Sequence, residues 1–212
     1  MCGLLSANTW KGLAPLLLVP LICFGCGDFE APGADKSGSI FDVDQIDPTY
    51  FDESTRQVDV FRSDCRTDPT EPPDPEPYTD HFADVTFTNR PLLNSEEQTA
   101  STIHLTEYDV WYEPITQGSL DLPSFNVREV NDGNGIQPCD PGADCQGETI
   151  AQVDFVPVRL KDVLADYIVL TGIWQLKYNI YYKFYGHNDF GYDVSAENST
   201  DFLVSDYNNC GN

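Results

Sequence analysis

The chain has 212 residues, 41% of them hydrophobic, and carries 35 acidic against 11 basic side chains for a formal charge of −24. Such an excess of negative charge repels nucleic acid and anionic lipid headgroups, which excludes both as electrostatic partners. The acid is uneven: residues 28–84 are dense in Asp and Glu, whereas 168–185 contain neither, so most of the charge belongs to solvated segments rather than to a substrate site.

Residues 1–25 read as an export signal. Lys11 and the amino terminus supply positive charge, and Leu13, Ala14, residues 16–19, Leu21 and Ile22 form an apolar core with no ionisable side chain. That core is shorter than the roughly 20 residues needed to cross about 30 Å of hydrocarbon. Pro15 and Pro20 also interrupt it, so no permanent membrane helix is expected. The residues before Cys26 resemble a bacterial lipobox, in which a small residue precedes the cysteine that is acylated and heads the mature chain. Gly25 supplies the small residue, while Cys23 and Phe24 depart from the usual leucine and small residue before it; bulky Ile22 makes Cys23 the poorer acceptor. The resemblance implies palmitate-type chains on Cys26 and attachment to a cell-envelope membrane. Gly27 in place of aspartate implies the outer membrane if the source is Gram-negative. Each buried methylene contributes about 0.8 kcal/mol, so two or three acyl chains hold stably. The alternative is an ordinary signal peptide with incidental cysteines. Removing 1–25 takes Lys11 and no acid, moving the charge from −24 to −25.

Residues 26–56 follow as an acidic tether. Gly27 to Ser39 show no hydrophobic period and several breakers, and about 30 such residues reach roughly 30 Å as a coil or on the order of 100 Å stretched. Ile40, Phe41, Val43, Ile46, Tyr50 and Phe51 are too apolar for a pure spacer, so part of the segment is expected to dock on the domain. Asp47-Pro48 offers the start of a helical turn.

From 57 to 212 the dominant signal is period two, broken by Pro, Gly and Asn. Residues 57–62 carry Val58 and Val60 inward, and 82–89 carry Ala83, Val85 and Phe87. In 103–112 the phase slips between Ile103/Leu105 and Tyr108/Val110/Tyr112, which predicts a bulge near Thr106-Glu107. Residues 120–127 form a proline-containing edge candidate, and 149–160 alternate through Ala151, Val153 and Phe155 until Pro157 shifts the register. A short helix fits 161–170, with Val163, Leu164 and Tyr167 as its apolar side. The clearest strand is 173–185, with Trp174, Leu176, Tyr178, Ile180, Tyr182 and Phe184 on one face. A turn over 186–191 returns it through Tyr192, Val194, Ala196, Thr200, Phe202 and Val204 as a hairpin. The total is about seven strands, which predicts an all-β immunoglobulin-like β-sandwich.

After the leader, Cys65, Cys139, Cys145 and Cys210 remain. In an oxidising envelope four cysteines predict two disulfides with three connectivities. Cys139 and Cys145 flank a turn-forming Asp-Pro-Gly stretch, so a local clasp is the simplest pairing and leaves Cys65 for Cys210. Among these four no CxxC spacing occurs, and no paired-histidine spacing for zinc is present.

Tyr108-Asp109-Val110-Trp111-Tyr112 resembles the Tyr-x-Val-x-Tyr run of a fibronectin type III strand C, and 192–198 is similar to that family's strand F. The resemblance implies a first strand running parallel to the last, which brings Cys65 and Cys210 to one end. A bridge there stabilises by about 4–5 kcal/mol in the chain-entropy model.

Signatures for catalysis are missing: GxSxG, HExxH, the P-loop, GxGxxG and CxxCH do not occur, and His81, His104 and His187 are far apart. The expected role is a non-catalytic structural or protein-interaction module that touches an envelope protein or surface polymer. The end loops, His187, Asn188, Asp189 and Phe190 among them, are the candidate contacts. The alternative is a calcium-dependent carbohydrate-binding or adhesion module. Asn131, Asp132 and Asn134, with Asp189 and Asp193, offer oxygens to a structural calcium ion, which takes about six to eight; plain turns explain the same composition. Tyr181, Lys183 and Tyr185 lie opposite the core face. They suit a sugar or a protein partner, or they cover a neighbouring strand or the docked tether. Trp111 and Trp174 are expected in the core.

Overall fold

A strand that is apolar at every second position has one face to hide, and two such sheets hide theirs against each other. The computed structural model describes residues 39–51, 53–91, 101–130, 133–139, 147–207 and 210. All belong to the second of two units, Ala31–Asn212, into which the chain divides after Glu30. Among them the strands are β1 (Ser39–Tyr50), β2 (Glu53–Ser54), β3 (Gln57–Asp59), β4 (His81–Pro91), β5 (Ile103–Pro114), β6 (Phe125–Arg128) and β7 (Glu148–Val156). Helix α1 (Val158–Thr171) then leads into β8 (Leu176–Asn188) and β9 (Asp193–Ser205). They make a β-sandwich of a four-stranded sheet, ordered β2-β1-β4-β7, and a five-stranded sheet, ordered β3-β9-β8-β5-β6.

The core is the predicted inward set. Ala83, Val85 and Phe87 of β4 face Leu176, Tyr178, Ile180, Tyr182 and Phe184 of β8, all without exposed surface. Phe87 and Phe184 meet edge-on across the sheets at 4.8 Å, and Phe155 and Phe202 do so at 5.1 Å. Each fully buried apolar side chain of this size contributes about 1.5–3 kcal/mol. The phase slip in β5 is a register shift between Leu105 and Glu107, where Gly186 of β8 passes close. A Cβ on Gly186 would lie 2.4 Å from the His104 carbonyl oxygen, so only glycine admits this approach.

Three tyrosines of the five-stranded sheet reach across the core to β7. The Tyr108 hydroxyl accepts the Asp154 N–H at 3.0 Å, Tyr182 donates to the Asp154 carbonyl at 2.8 Å, and Tyr112 donates to the Phe155 carbonyl at 2.6 Å. The pairing of β7 with β4 is irregular, and Gln152 sits at φ 66°. Backbone groups that leave a ladder inside a core need partners, and the phenols provide them.

Several expectations change. Ser39–Tyr50, placed in the 26–56 tether, is a twelve-residue strand hydrogen-bonded to β4 from Ser39↔Pro91 to Thr49↔Phe82. It is extended straight through Asp47-Pro48, with no helical turn, because Phe41, Val43, Ile46 and Tyr50 are all drawn into the core. The sandwich therefore begins well before Gln57, and the seven expected strands gain β1 and β2. Pro157 ends β7 and caps α1, which starts three residues before the sequence places it. The helix buries Leu160, Lys161, Leu164 and Ile168, and Val163 is exposed. Its apolar side is read correctly at Leu164 and at Tyr167, which packs half-buried against the core, and wrongly at Val163, because Leu160 at its start counts toward the buried face. Trp174 precedes β8 and is 56% exposed, packing on Phe61 at 5.7 Å instead of entering the core.

β3 runs parallel to β9, pairing Gln57↔Leu203 and Val58↔Val204. Just beyond that pairing Cys65 and Cys210 form a disulfide. Cys139 is also disulfide-bonded; Cys145 lies outside the described residues. No helix among the described residues is long and apolar enough to cross a membrane.

Candidate functional site

Alternation that sends Tyr108, Val110 and Tyr112 into the core sends Asp109, Trp111 and Glu113 to the opposite face of β5. On β8 the same rule turns Tyr181, Lys183 and Tyr185 outward, and the register sets Trp111 beside Tyr181 and Asp109 beside Lys183. β1 pairs within the other sheet, so the docked segment does not cover these side chains. The Trp111 and Tyr181 rings are parallel to within 5°, their centroids 5.4 Å apart. Tyr181 donates its hydroxyl to Glu113 at 2.6 Å, and Tyr185 donates to Asp109 at 2.9 Å. Each carboxylate raises the pKa of the phenol bonded to it. Lys183 Nζ stands 5.6 Å from the Tyr185 ring centroid. On the other side of Asp109, Asn126 of β6 donates its amide to the same carboxylate at 2.9 Å.

An open groove of about 480 Å³ is lined by Asp109, Trp111, Ser124, Phe125, Asn126, Lys183 and Tyr185, with Tyr181 and Glu113 outside its lining. Its volume is in the range of small-molecule sites. Both tyrosine rings are fixed by their carboxylate bonds, so the aromatic surface is set before any ligand arrives. Trp111, expected in the core, is instead half-buried on this outer face. Its size argued for the interior and its phase argued against it; the phase decides, because neighbouring side chains on a strand must point to opposite faces.

The predicted loop residues gather at one end of the sandwich. Asn188 is buried, and its side-chain oxygen accepts the N–H groups of Phe190 and Tyr192, both at 3.0 Å. It builds the turn and offers nothing outward. Asp189 accepts the Thr102 N–H at 3.1 Å and lies 3.2 Å from His104 Nε2. His187 packs at 5.8 Å from His104, and Phe190 is exposed. Gly135 abuts Thr102 and His104, which brings the Asn134 turn alongside. Asn134 is exposed, Asp193 is exposed opposite His187, and Asn131 and Asp132 lie outside the described residues. Among the described residues no three His, Cys, Asp or Glu side chains are grouped to hold a metal ion. Asp189 is committed to Thr102 and His104 rather than to Asp193.

A second polar cluster, missed in the sequence, is sealed inside. Lys161 has no exposed surface, and its Nζ lies 4.6 Å from the Tyr50 ring centroid and 5.0 Å from that of Tyr78. Burial lowers its pKa to about 8, against the upward pull of Asp59, Asp80, Glu76 and Asp162. Burial pushes Asp59 up to about 6, opposed by its bonds from Tyr207 and Phe61 and reinforced by Glu76. His81 is stacked on Tyr50 at 4.0 Å, and burial, with Lys161 adding to it, brings its pKa down to about 3. Asp59 and Glu76 share a side-chain hydrogen bond and Tyr78 donates to Asp162 at 3.2 Å, while the other bonds named here hold backbone. Asp59 takes the N–H groups of Phe61 and Tyr207, Glu76 takes that of Ser63, and Tyr50 donates to the Pro77 carbonyl. The cluster pins the 59–78 segment and the C-terminal end beside α1, and its closure to solvent makes it structural.

No protein-family model, curated protein or solved structure matches this chain.

Proposed function

We propose that this chain is an exported immunoglobulin-like β-sandwich that is held at the cell envelope by acyl chains on Cys26. It acts there as a non-catalytic binding module whose contact surface is the outer face of the five-stranded sheet. The observation that carries this reading is the aromatic surface of Trp111, Tyr181 and Tyr185 beside an open groove on a sheet face that faces solvent. Aromatic side chains of this kind are enriched at binding surfaces. The immunoglobulin-like assignment is supported by strand order: β9-β8-β5 stand where strands G-F-C stand in that architecture, and β1-β4-β7 where A-B-E stand, so the stretch 192–198 that resembles a strand F falls on the strand in the G position. Export is supported by the Cys65–Cys210 disulfide, a bond that persists in oxidising compartments. Lipid attachment rests on the Gly25-Cys26 resemblance.

The test is expression of the full chain in a Gram-negative host fed radiolabelled palmitate. Label in the membrane pellet that disappears in Cys26→Ala is the expected result. An unlabelled protein that keeps residues 1–25 and stays soluble overturns the anchor.

A further inference from the structure

The outer-sheet groove has the chemistry of a sugar site, and we propose that it binds an uncharged pyranose polymer. This rests on the binding-module reading above and names its ligand. A pyranose ring presents an apolar C–H face and a rim of hydroxyls that both donate and accept. The apolar face needs a rigid aromatic surface: Trp111, Phe125 and Tyr185 line the groove, and Trp111 is held in place by stacking one face on Tyr181, which leaves its other face for a ligand. The rim needs fixed donors and acceptors at the edge of that surface. Asp109 accepts one bond from Tyr185 and one from Asn126, and a carboxylate has about four lone-pair sites, so it retains capacity for ligand hydroxyls. Lys183 holds its ammonium over the Tyr185 ring and has no salt-bridge partner among the described residues, leaving a donor at the groove wall. Because the phenols are already bonded to carboxylates, little side-chain entropy is lost when a ligand arrives.

Charge decides between polymers. On this sheet Asp201 of β9 is paired with Lys177 and Arg56 and Glu107 of β5 with Arg128, which leaves Asp109, Glu113 and Glu197 against Lys183, on a chain of net charge −24. Uronate-rich, phosphate-rich or nucleic polymers are repelled from such a face, and a neutral glycan is indifferent to it. The groove is open rather than enclosed, so a chain can run across it without needing a free end. An extended protein segment is the competing occupant, and the experiment separates the two.

The full acylated chain in detergent is titrated calorimetrically with cellohexaose, chitohexaose and oligogalacturonate, the last supplying the anionic arm, at two salt concentrations. Saturable binding to a neutral oligosaccharide is expected, with little salt dependence. Trp111→Ala should weaken it at least tenfold, and the smaller change Asn126→Ala at an exposed position about threefold. Circular dichroism melts establish that each variant is folded, and Asn126→Ala keeps the idea testable if Trp111→Ala unfolds. No heat with either neutral sugar, preference for oligogalacturonate, or undiminished binding in both variants overturns the inference. So does a crosslinked protein partner lost in Trp111→Ala when no sugar binds. Palmitate labelling without sugar binding removes the ligand and leaves the anchored module. Sugar binding without palmitate removes the anchor and leaves the ligand.

Discussion

Replacing both Cys65 and Cys210 by serine should cost this domain more than any single core truncation. The bridge joins residues 145 apart in sequence, so it closes a ring that takes in β4 to β9 and α1 and leaves β1, β2 and β3 outside. In the chain-entropy model a ring of that size removes about 5 kcal/mol of freedom from the unfolded chain. For a domain of this length each kcal/mol moves the melting temperature by about 2–4 °C, so the double variant should melt about 10–20 °C lower. The folded state should change little. β3 remains paired to β9, Val58 and Val60 remain buried, and Asp59 still holds the Tyr207 N–H. The assay is urea unfolding of the full chain and the double variant under oxidising conditions, which preserves the bond at Cys139. Because the uncrosslinked chain expands further when unfolded, the denaturant slope should rise as the midpoint falls. A loss below about 1 kcal/mol with an unchanged slope would refute the argument that the bond acts on the unfolded ensemble.

Three further outcomes follow from buried groups. His81 is neutral when folded, its pKa depressed to about 3, and protonated when unfolded below about 6.5. The unfolded chain thus binds the extra proton, and stability rises with pH from about 3 to 6.5 on its account. His81→Phe should remove that slope, stabilising by about 3 kcal/mol at pH 4 and by nothing above about pH 7; parallel pH series of urea melts read it, and a constant offset at all pH would rule it out. Tyr112→Phe should lose about 1–2 kcal/mol, because the Phe155 carbonyl loses the phenol that reaches it at 2.6 Å; an unchanged urea midpoint would show that this bond adds nothing. Gly186→Ala should cost about 1–3 kcal/mol by forcing β8 away from the His104 carbonyl, visible as faster amide exchange along β5 and β8, and wild-type protection there would count against the close approach.

Much of the architecture was readable because sheet faces repeat every second residue. Val85 and Phe87, Tyr108 and Val110, and Tyr178 to Phe184 each declare their face locally, and the slip at Thr106-Glu107 declares its bulge. β1 was harder. Its apolar positions shift phase at the bulge between Val43 and Gln45, and Pro48 interrupts its donors, so the segment looks like a decorated tether until β4 supplies the partner ladder. The groove was half legible. Tyr181, Lys183 and Tyr185 were outward by period, while Trp111 joined them only when the register set β5 beside β8.

By itself the amino-acid sequence determined the alternating inward faces of β4 and β8, the turn that joins β8 to β9, and that four cysteines remain beyond Cys26, since these depend on neighbours within a few residues. Tertiary structure alone decided that Lys161, Asp59, Glu76 and His81 meet inside, that three phenols serve β7, and that Asp109, Asn126 and Lys183 converge on one groove. Those groups come from segments far apart in the chain. Their proximity depends on how strands are ordered across a sheet, a quantity that no local pattern of residues contains.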